Sequence, residues 1–125
     1  AVEQSNFEPE QVGCINLHGT ATPLNDVAEA QAVNRVLGAA TPCSSTKHLT
    51  GHTLGAAGVT EAALSWLILD RDLTLPIQDF SVSVKDPTIA DINLLTAPQK
   101  LAKKAIISNS FAFGGNNACL LLGEV

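Results

Sequence analysis

The stretch from Gly51 to Asp72 limits the possible folds of this chain more than any other. It opens with the small residues Gly51-His52-Thr53-Leu54-Gly55-Ala56-Ala57-Gly58 and continues through Glu61, Ala62, Leu64, Trp66, Leu67 and Leu69. The spacing predicts one helix that is apolar on nearly all sides, and such a helix belongs in an interior. Gly55 and Gly58 each cost roughly 1 kcal/mol relative to Ala inside a helix, so close approach of another backbone is expected beside them. A chain of 125 residues can supply one core of its own. Aromatic residues make up only 4% of it, so that core is built from Ala, Val, Ile and Leu, which suits helices packed on a sheet.

Short apolar runs provide the sheet. Val12, Ile15 and Leu17 predict a strand that ends at His18 and Gly19. Thr22 and Pro23 then suit an N-cap and first helical position, Leu24 to Leu37 space their apolar residues along one helix face, and Gly38 closes that helix. Pro42 to Lys47 is a short strand or loop, and Ile92 to Leu95 and Ala105 to Ser108 are strand-like. Ala118 to Leu122 leaves the glycine-rich segment Asn109 to Asn117 as the second arm of a hairpin or near-hairpin. The expected class is α/β: a mixed, mainly parallel five-stranded sheet with helices packed on it, one of them buried.

Composition narrows the partners. The net charge is −5, and the one basic trio, Lys100, Lys103 and Lys104, has no interleaved aromatic residues, so nucleic-acid binding is not expected. The trio suits a solvated turn before a strand. The apolar stretch around Ala62 to Leu69 is far below the ~18 residues of a transmembrane helix, and no targeting pattern is visible, so a cytoplasmic protein without membrane insertion is expected. Cys14, Cys43 and Cys119 are far apart in sequence and suit reduced, mostly buried thiols rather than a metal or redox site.

Three segments carry residues fit for chemistry. His18, at a strand end, lies where open α/β sheets keep their sites, with the Thr20 and Thr22 hydroxyls nearby, although a lone histidine there also suits a capped structural role. His52 strengthens the case, since it opens a run of small residues shortly after Lys47, whereas His48 lacks that setting and suits a surface loop. Two neutral imidazoles donating to one oxygen would stabilise an enolate, and a helix beginning at His52 would add partial positive charge. Lys47 would disfavour protonation of the imidazoles and needs a carboxylate, Glu61 or Glu29, to hold it; an ordinary salt bridge is the plain alternative. Phe111 to Asn117 lacks phosphate-loop spacing and suits a mobile apolar gate with free backbone N–H groups. A cysteine hydrolase using Cys43 with His18 or His52 is a further, weaker reading.

Taken together, His18-Gly19-Thr20-Ala21-Thr22-Pro23-Leu24-Asn25-Asp26, Ser44-Ser45-Thr46-Lys47 with Gly51 to Gly58, and Asn109 to Asn117 resemble the β-ketoacyl-acyl-carrier-protein synthases of the thiolase-like superfamily. The resemblance implies that residues 1–125 form the C-terminal domain of such an enzyme, and that the N-terminal half with its nucleophilic cysteine lies outside this chain. It implies a decarboxylative Claisen condensation of malonyl carrier protein with an acyl thioester in fatty-acid or polyketide synthesis. The implied catalytic residues are His18, His52, Lys47 and Phe113. Thr20, Thr22, Phe111 and Gly114 would contact substrate, and Glu61 and Glu29 would give support. No metal and no cofactor of its own is implied, because the substrates ride on the phosphopantetheine of acyl carrier protein. Implied partners are that carrier protein, the chain's own N-terminal half, and a second subunit in a homodimer or ketosynthase heterodimer. The alternative is a non-catalytic partner subunit resembling a chain length factor. Ala112 stands where the family more commonly has glycine, which is expected to restrict the gate.

Overall fold

The computed structural model describes residues 1–124, and its centre is a five-stranded sheet. In chain order the elements are β1 (Cys14–Asn16), helix α1 (Pro23–Leu37), β2 (Pro42–Ser44), the one-turn helix α2 (Lys47–Thr50), helix α3 (Ala57–Arg71), β3 (Asn93–Leu94), β4 (Ala105–Phe111) and β5 (Asn117–Gly123). The strands lie in the order β3-β2-β1-β4-β5. All neighbours are parallel except the β4–β5 hairpin, in which Phe111 pairs with Asn117 and Ala105 with Gly123. The expected mixed, mainly parallel five-stranded sheet is therefore present.

The alternation of side chains along β1 explains the layering. Ile15 and Leu17 face one side and join Ala30 and Val33 of α1, together with Cys43, Ile92 and Ile107. Cys14 faces the other side and joins Ile68 and Leu69 of α3, with Leu75, Leu101 and Ile106. β1 is thus covered on both faces, which is why its residues are all buried. α1 begins after Thr22 with Pro23 at its first position and ends at Gly38, whose φ of 73° lies in the left-handed region.

Three expectations about the second long helix are corrected. It starts at Ala57, not Gly51: Gly51 (φ 72°) and Leu54 (φ 51°) turn the chain, and a single 3₁₀ turn, Leu54–Ala56, precedes it. Nor is it buried all round within the described residues. Its inner face carries Ala57, Glu61, Ser65, Ile68 and Leu69, while Val59 and Trp66 are exposed. Glu61, paired with Lys47, and Ser65 share the inner side with the apolar residues. The expected backbone approach is not found: a Cβ at Gly58 would sit 3.2 Å from a side-chain atom, Ser110 Oγ of β4, and nothing lies within 4 Å of such an atom at Gly55.

Candidate active site

The site forms at the C-terminal edge of the parallel strands, where β1 and β2 release the chain into loops. The Leu17 N–H still continues the ladder to the Ser44 carbonyl at 2.7 Å. Beyond it, the His18 and Gly19 N–H groups donate to Glu29 Oε1 and Oε2 on α1, each at 2.9 Å. The buried Asn109 amide of β4 donates to the same carboxylate at 3.0 Å. Glu29 thus ties two strand ends to one helix, and burial raises its pKa despite these donors. Gly19 has φ 47°, and a Cβ there would come within 2.8 Å of Ser45, so only glycine lets the two strand ends approach.

Of the two carboxylates expected to hold Lys47, the structure selects Glu61. The Lys47 ammonium bonds Glu61 Oε1, and both side chains are buried, so α2 and the inner face of α3 are joined by an enclosed ion pair. The Lys47 N–H also donates to Ser45 Oγ at 3.3 Å, and the Gln78 amide donates to the Ser45 carbonyl at 2.8 Å. Ser45, Gln78 and Asn109 thus help build the site. Ser45 and Asn109 lie in the segments that carry the family resemblance, but sequence reasoning named none of the three as a site residue, and nothing in the sequence singled out Gln78.

The two proposed histidines come together across 34 positions of sequence (52 − 18). Their ring centroids are 5.6 Å apart and the rings are nearly perpendicular, at 87°. His52 reaches this point from the irregular turn after α2, exposed to solvent, and not from a helix N-terminus. A direct contribution of the α3 dipole is therefore withdrawn, because that effect fades within the first helical turn. His18 is buried, and its pKa is lowered from 6.5 to about 4, first by burial, then by the charge of Lys47, then by His52. It is neutral at physiological pH. Its Nδ1 is enclosed without a hydrogen-bond partner, which leaves Nε2 to meet a ligand.

The other expected residues fall into two groups. The Phe111 ring lies 5.6 Å from that of His18, at 63°, closing one side of the site. The Thr20 and Thr22 hydroxyls are 3.1 Å apart, and the Asn25 amide donates to Thr20 Oγ1 at 3.3 Å. Phe113 and Gly114 are not brought to the histidines: Phe113 is 95% exposed on a 3₁₀ turn, and Gly114 has φ 82°. Ala112 is extended (φ −117°, ψ 161°), so its Cβ introduces no strain in this conformation, and the positive φ values fall on Gly114 and Gly115. His48 is exposed, as expected. A cavity of about 370 Å³ opens beside His52 and Lys47, with Thr20 and Asp26 on its wall and Ile92 and Leu94 among its apolar lining.

The Cys43 reading is overturned. The side chain is fully buried and its thiol is pushed up to about 12, by burial first and then by Cys14 and Glu29, so no thiolate is available. Among the described residues no group of three or more His, Cys, Asp or Glu side chains is placed to hold a metal ion, and no helix is long and apolar enough to cross a membrane.

Comparison with known proteins gives this geometry a family. The model of the β-ketoacyl synthase C-terminal domain matches residues 1–81, which include His18, Lys47, His52 and Glu61. The chain is 41% identical over 112 residues to 3-oxoacyl-[acyl-carrier-protein] synthase 1 of Escherichia coli K12, covering 89% of this chain and 27% of the relative. Against the Haemophilus influenzae synthase 1 it is 43% identical over 109 residues, covering 86% of this chain and 26% of the relative. Among solved structures, a ketosynthase (ApeO) in complex with its chain length factor (ApeC) from Xenorhabdus doucetiae matches with a TM-score of 0.96 and 54% identity, covering all of this chain and 31% of that one. A β-ketoacyl synthase from Burkholderia phymatum matches at 0.90 and 34%, covering 100% and 30%. The chain thus spans roughly three tenths of the length of these relatives. With the model covering well over half of its residues, it belongs to the β-ketoacyl synthase family and corresponds to that family's C-terminal domain.

Proposed function

We propose that this chain serves a β-ketoacyl-acyl-carrier-protein synthase, an acyltransferase that condenses malonyl carrier protein with an acyl thioester in fatty-acid or polyketide elongation. The observation that carries the reading is the neutral His18 ring set edge-on to His52, with the Lys47 cation behind them. When the malonyl thioester loses CO₂, the electron pair of the breaking C–C bond moves into an enolate, and negative charge collects on the thioester oxygen. Two imidazole N–H donors at that oxygen stabilise the charge, and donors already oriented need little reorganisation as it develops. The enolate carbon then attacks the acyl group held on a cysteine outside this chain, and the thiolate leaves. Burial and then the charge of Lys47 keep the His18 ring unprotonated and so able to act as a neutral donor. The enclosed Glu61 holds the lysine in place.

Thr20 and Thr22 hold the phosphopantetheine arm of the carrier-bound substrate, and no further cofactor is required. Phe111 shields the reacting point. Phe113 and Gly114 belong to a gate that closes over the site only when substrate arrives, and the gate's backbone N–H groups then form the oxyanion hole. The apolar outer face of α3, with Val59 and Trp66, packs against the protein's own N-terminal half. The complete enzyme works in the cytoplasm as a dimer, and this chain alone is inactive.

The test is decarboxylation of malonyl thioester by the full-length protein. His18→Gln should slow CO₂ release by about 10²–10³, as expected for removal of one donor from a developing oxyanion. A variant that decarboxylates at the wild-type rate would remove the histidine pair from the mechanism. The competing reading, a partner subunit resembling a chain length factor, has no need of both histidines and the lysine. It would require a full-length chain without a cysteine in the nucleophile position.

A further inference from the structure

β2 runs out of backbone partners at its exit, and a side chain from outside the sheet completes it. The Cys43 carbonyl accepts the Leu95 N–H at 2.9 Å, and the Ser44 carbonyl accepts the Leu17 N–H on the opposite edge at 2.7 Å. The next carbonyl, that of Ser45, belongs to a buried residue and is costly to leave without a donor. β3 has ended at Leu94, and among the described residues no backbone N–H reaches the Ser45 carbonyl. The Gln78 amide donates to it instead, at 2.8 Å. Gln78 is anchored on the β3 side of the sheet, since its own N–H donates to the Leu95 carbonyl at 2.6 Å and the Leu75 N–H donates to the Gln99 carbonyl at 2.8 Å. A glutamine side chain thus supplies the bond that a longer β3 would have supplied.

Ser45 is the joint between two strand exits. Its Oγ accepts the Lys47 N–H at 3.3 Å and donates to the Gly19 carbonyl at 3.4 Å. Lys47 opens α2, a helix of four residues, and so short a helix does not hold its own shape without tertiary anchors. Glu61 fixes the far end of the Lys47 side chain, and Ser45 fixes its backbone. Ser45, Gln78, Lys47 and His52 share the wall of one cavity. Without its amide partner the Ser45 carbonyl would turn toward that cavity to find water, and the start of α2 would move with it.

We infer that Gln78 is a positioning residue: its amide fixes the exit of β2 through the Ser45 carbonyl and so sets where Lys47 stands behind the His18 and His52 rings. This rests on the proposed role of Lys47 and adds the group that places it. The plain alternative is a residue that pins the segment after α3 to the sheet and does nothing for the site.

Gln78→Met in the full-length enzyme separates the two, because it keeps the length of the stem and removes the donor. With malonyl carrier protein, kcat for CO₂ release should fall about tenfold while KM stays within about twofold of wild type, the pattern of a misplaced group that acts on the chemical step. The His18 midpoint, read by NMR, should rise above about 4, and by less than in Lys47→Met, since the cation is loosened and not lost. Adding Gln78→Met to Lys47→Met should move that midpoint no further, because the glutamine acts through the lysine. Amide hydrogen exchange at Lys47 should accelerate in Gln78→Met, and Gln78→Asn, whose donor sits on a shorter stem, should lie between it and wild type. Faster exchange at Gln78 alone, with Lys47 exchange and the His18 midpoint unchanged, would reduce the residue to a pin and overturn the inference. An equal midpoint shift with and without Lys47 would overturn it too. If the wild-type enzyme released no CO₂, the proposed function would fail instead, and the exchange and midpoint measurements would still decide whether Gln78 places Lys47.

Discussion

Acidification of the histidine pair offers a test whose size follows from the structure. His18 titrates at about 4 against an ordinary 6.5, because burial, then Lys47, then His52 oppose its charged form. At pH 5.5 a ring with a midpoint of 4 is about 3% protonated, whereas one with the ordinary midpoint is about 91% protonated. The Hε1 and Cε1 resonances of histidine-labelled protein report this directly, with His18 assigned by its absence in His18→Gln. The His18 signal should hold its neutral position down to about pH 5 and move near pH 4. In Lys47→Met the midpoint should rise yet stay below 6.5, because burial remains the largest cause. The same shift affects stability. The folded midpoint lies below the unfolded one, so the unfolded chain takes up the proton first; stability is complete above about pH 6.5 and is lost as pH falls toward 4. The ceiling of that loss is about 3 kcal/mol, and solvent in the adjoining cavity screens it to roughly 1–2 kcal/mol. Urea unfolding of wild type against His18→Gln isolates it, since the buried carboxylates contribute equally to both. A midpoint at or above 6 in the folded protein would refute the assignment of His18 as a neutral donor.

Three further outcomes are expected. Lys47→Met leaves Glu61 buried without its cation and should cost about 3–5 kcal/mol in urea unfolding; Lys47→Met with Glu61→Leu should recover at least half, and a double variant as unstable as the single one would contradict the ion-pair account. Gly19→Ala forces a Cβ into the left-handed region and against Ser45, so it should cost about 1–3 kcal/mol and lower the melting temperature, whereas a neutral effect would show that the strand ends need not approach closely. Ala112→Gly in the whole enzyme should alter acyl-chain selectivity through a looser gate, with an unchanged product profile counting against it.

Much of this architecture was legible in the residues. A strand within Val12 to Leu17, the Thr22-Pro23 helix start and the Gly38 stop appear where local patterns place them, and the expected hairpin is present, although its first arm runs on through Asn109 and Ser110 to Phe111 and leaves a shorter connection than expected. These are short-range signals, set by side-chain period, caps and glycine conformations. The start of α3 was misplaced because the small residues Gly51 to Ala56 are compatible with a helix, yet Gly51 and Leu54 adopt left-handed φ values that end one. Hydrophobicity read that helix as apolar on nearly all sides and did not pick out its inner face, where Glu61 and Ser65 are buried while Val59 and Trp66 are exposed. A pattern count cannot detect that a buried glutamate has found a lysine on another element.

The sequence by itself determined the element types, the alternation of strands and helices, and the identity of the residues able to do chemistry, including His18, Lys47 and His52. Only the tertiary structure decided which of them meet. It joined Lys47 to Glu61 and gave Glu29 to the strand ends, brought the two rings within 5.6 Å, and sealed Cys43 out of reach. The division has a physical cause: turns and periods arise from interactions a few residues apart. A lowered imidazole pKa or an enclosed ion pair depends on dielectric and distance between groups far apart in sequence, and both come into being only when the sheet and its two helices close.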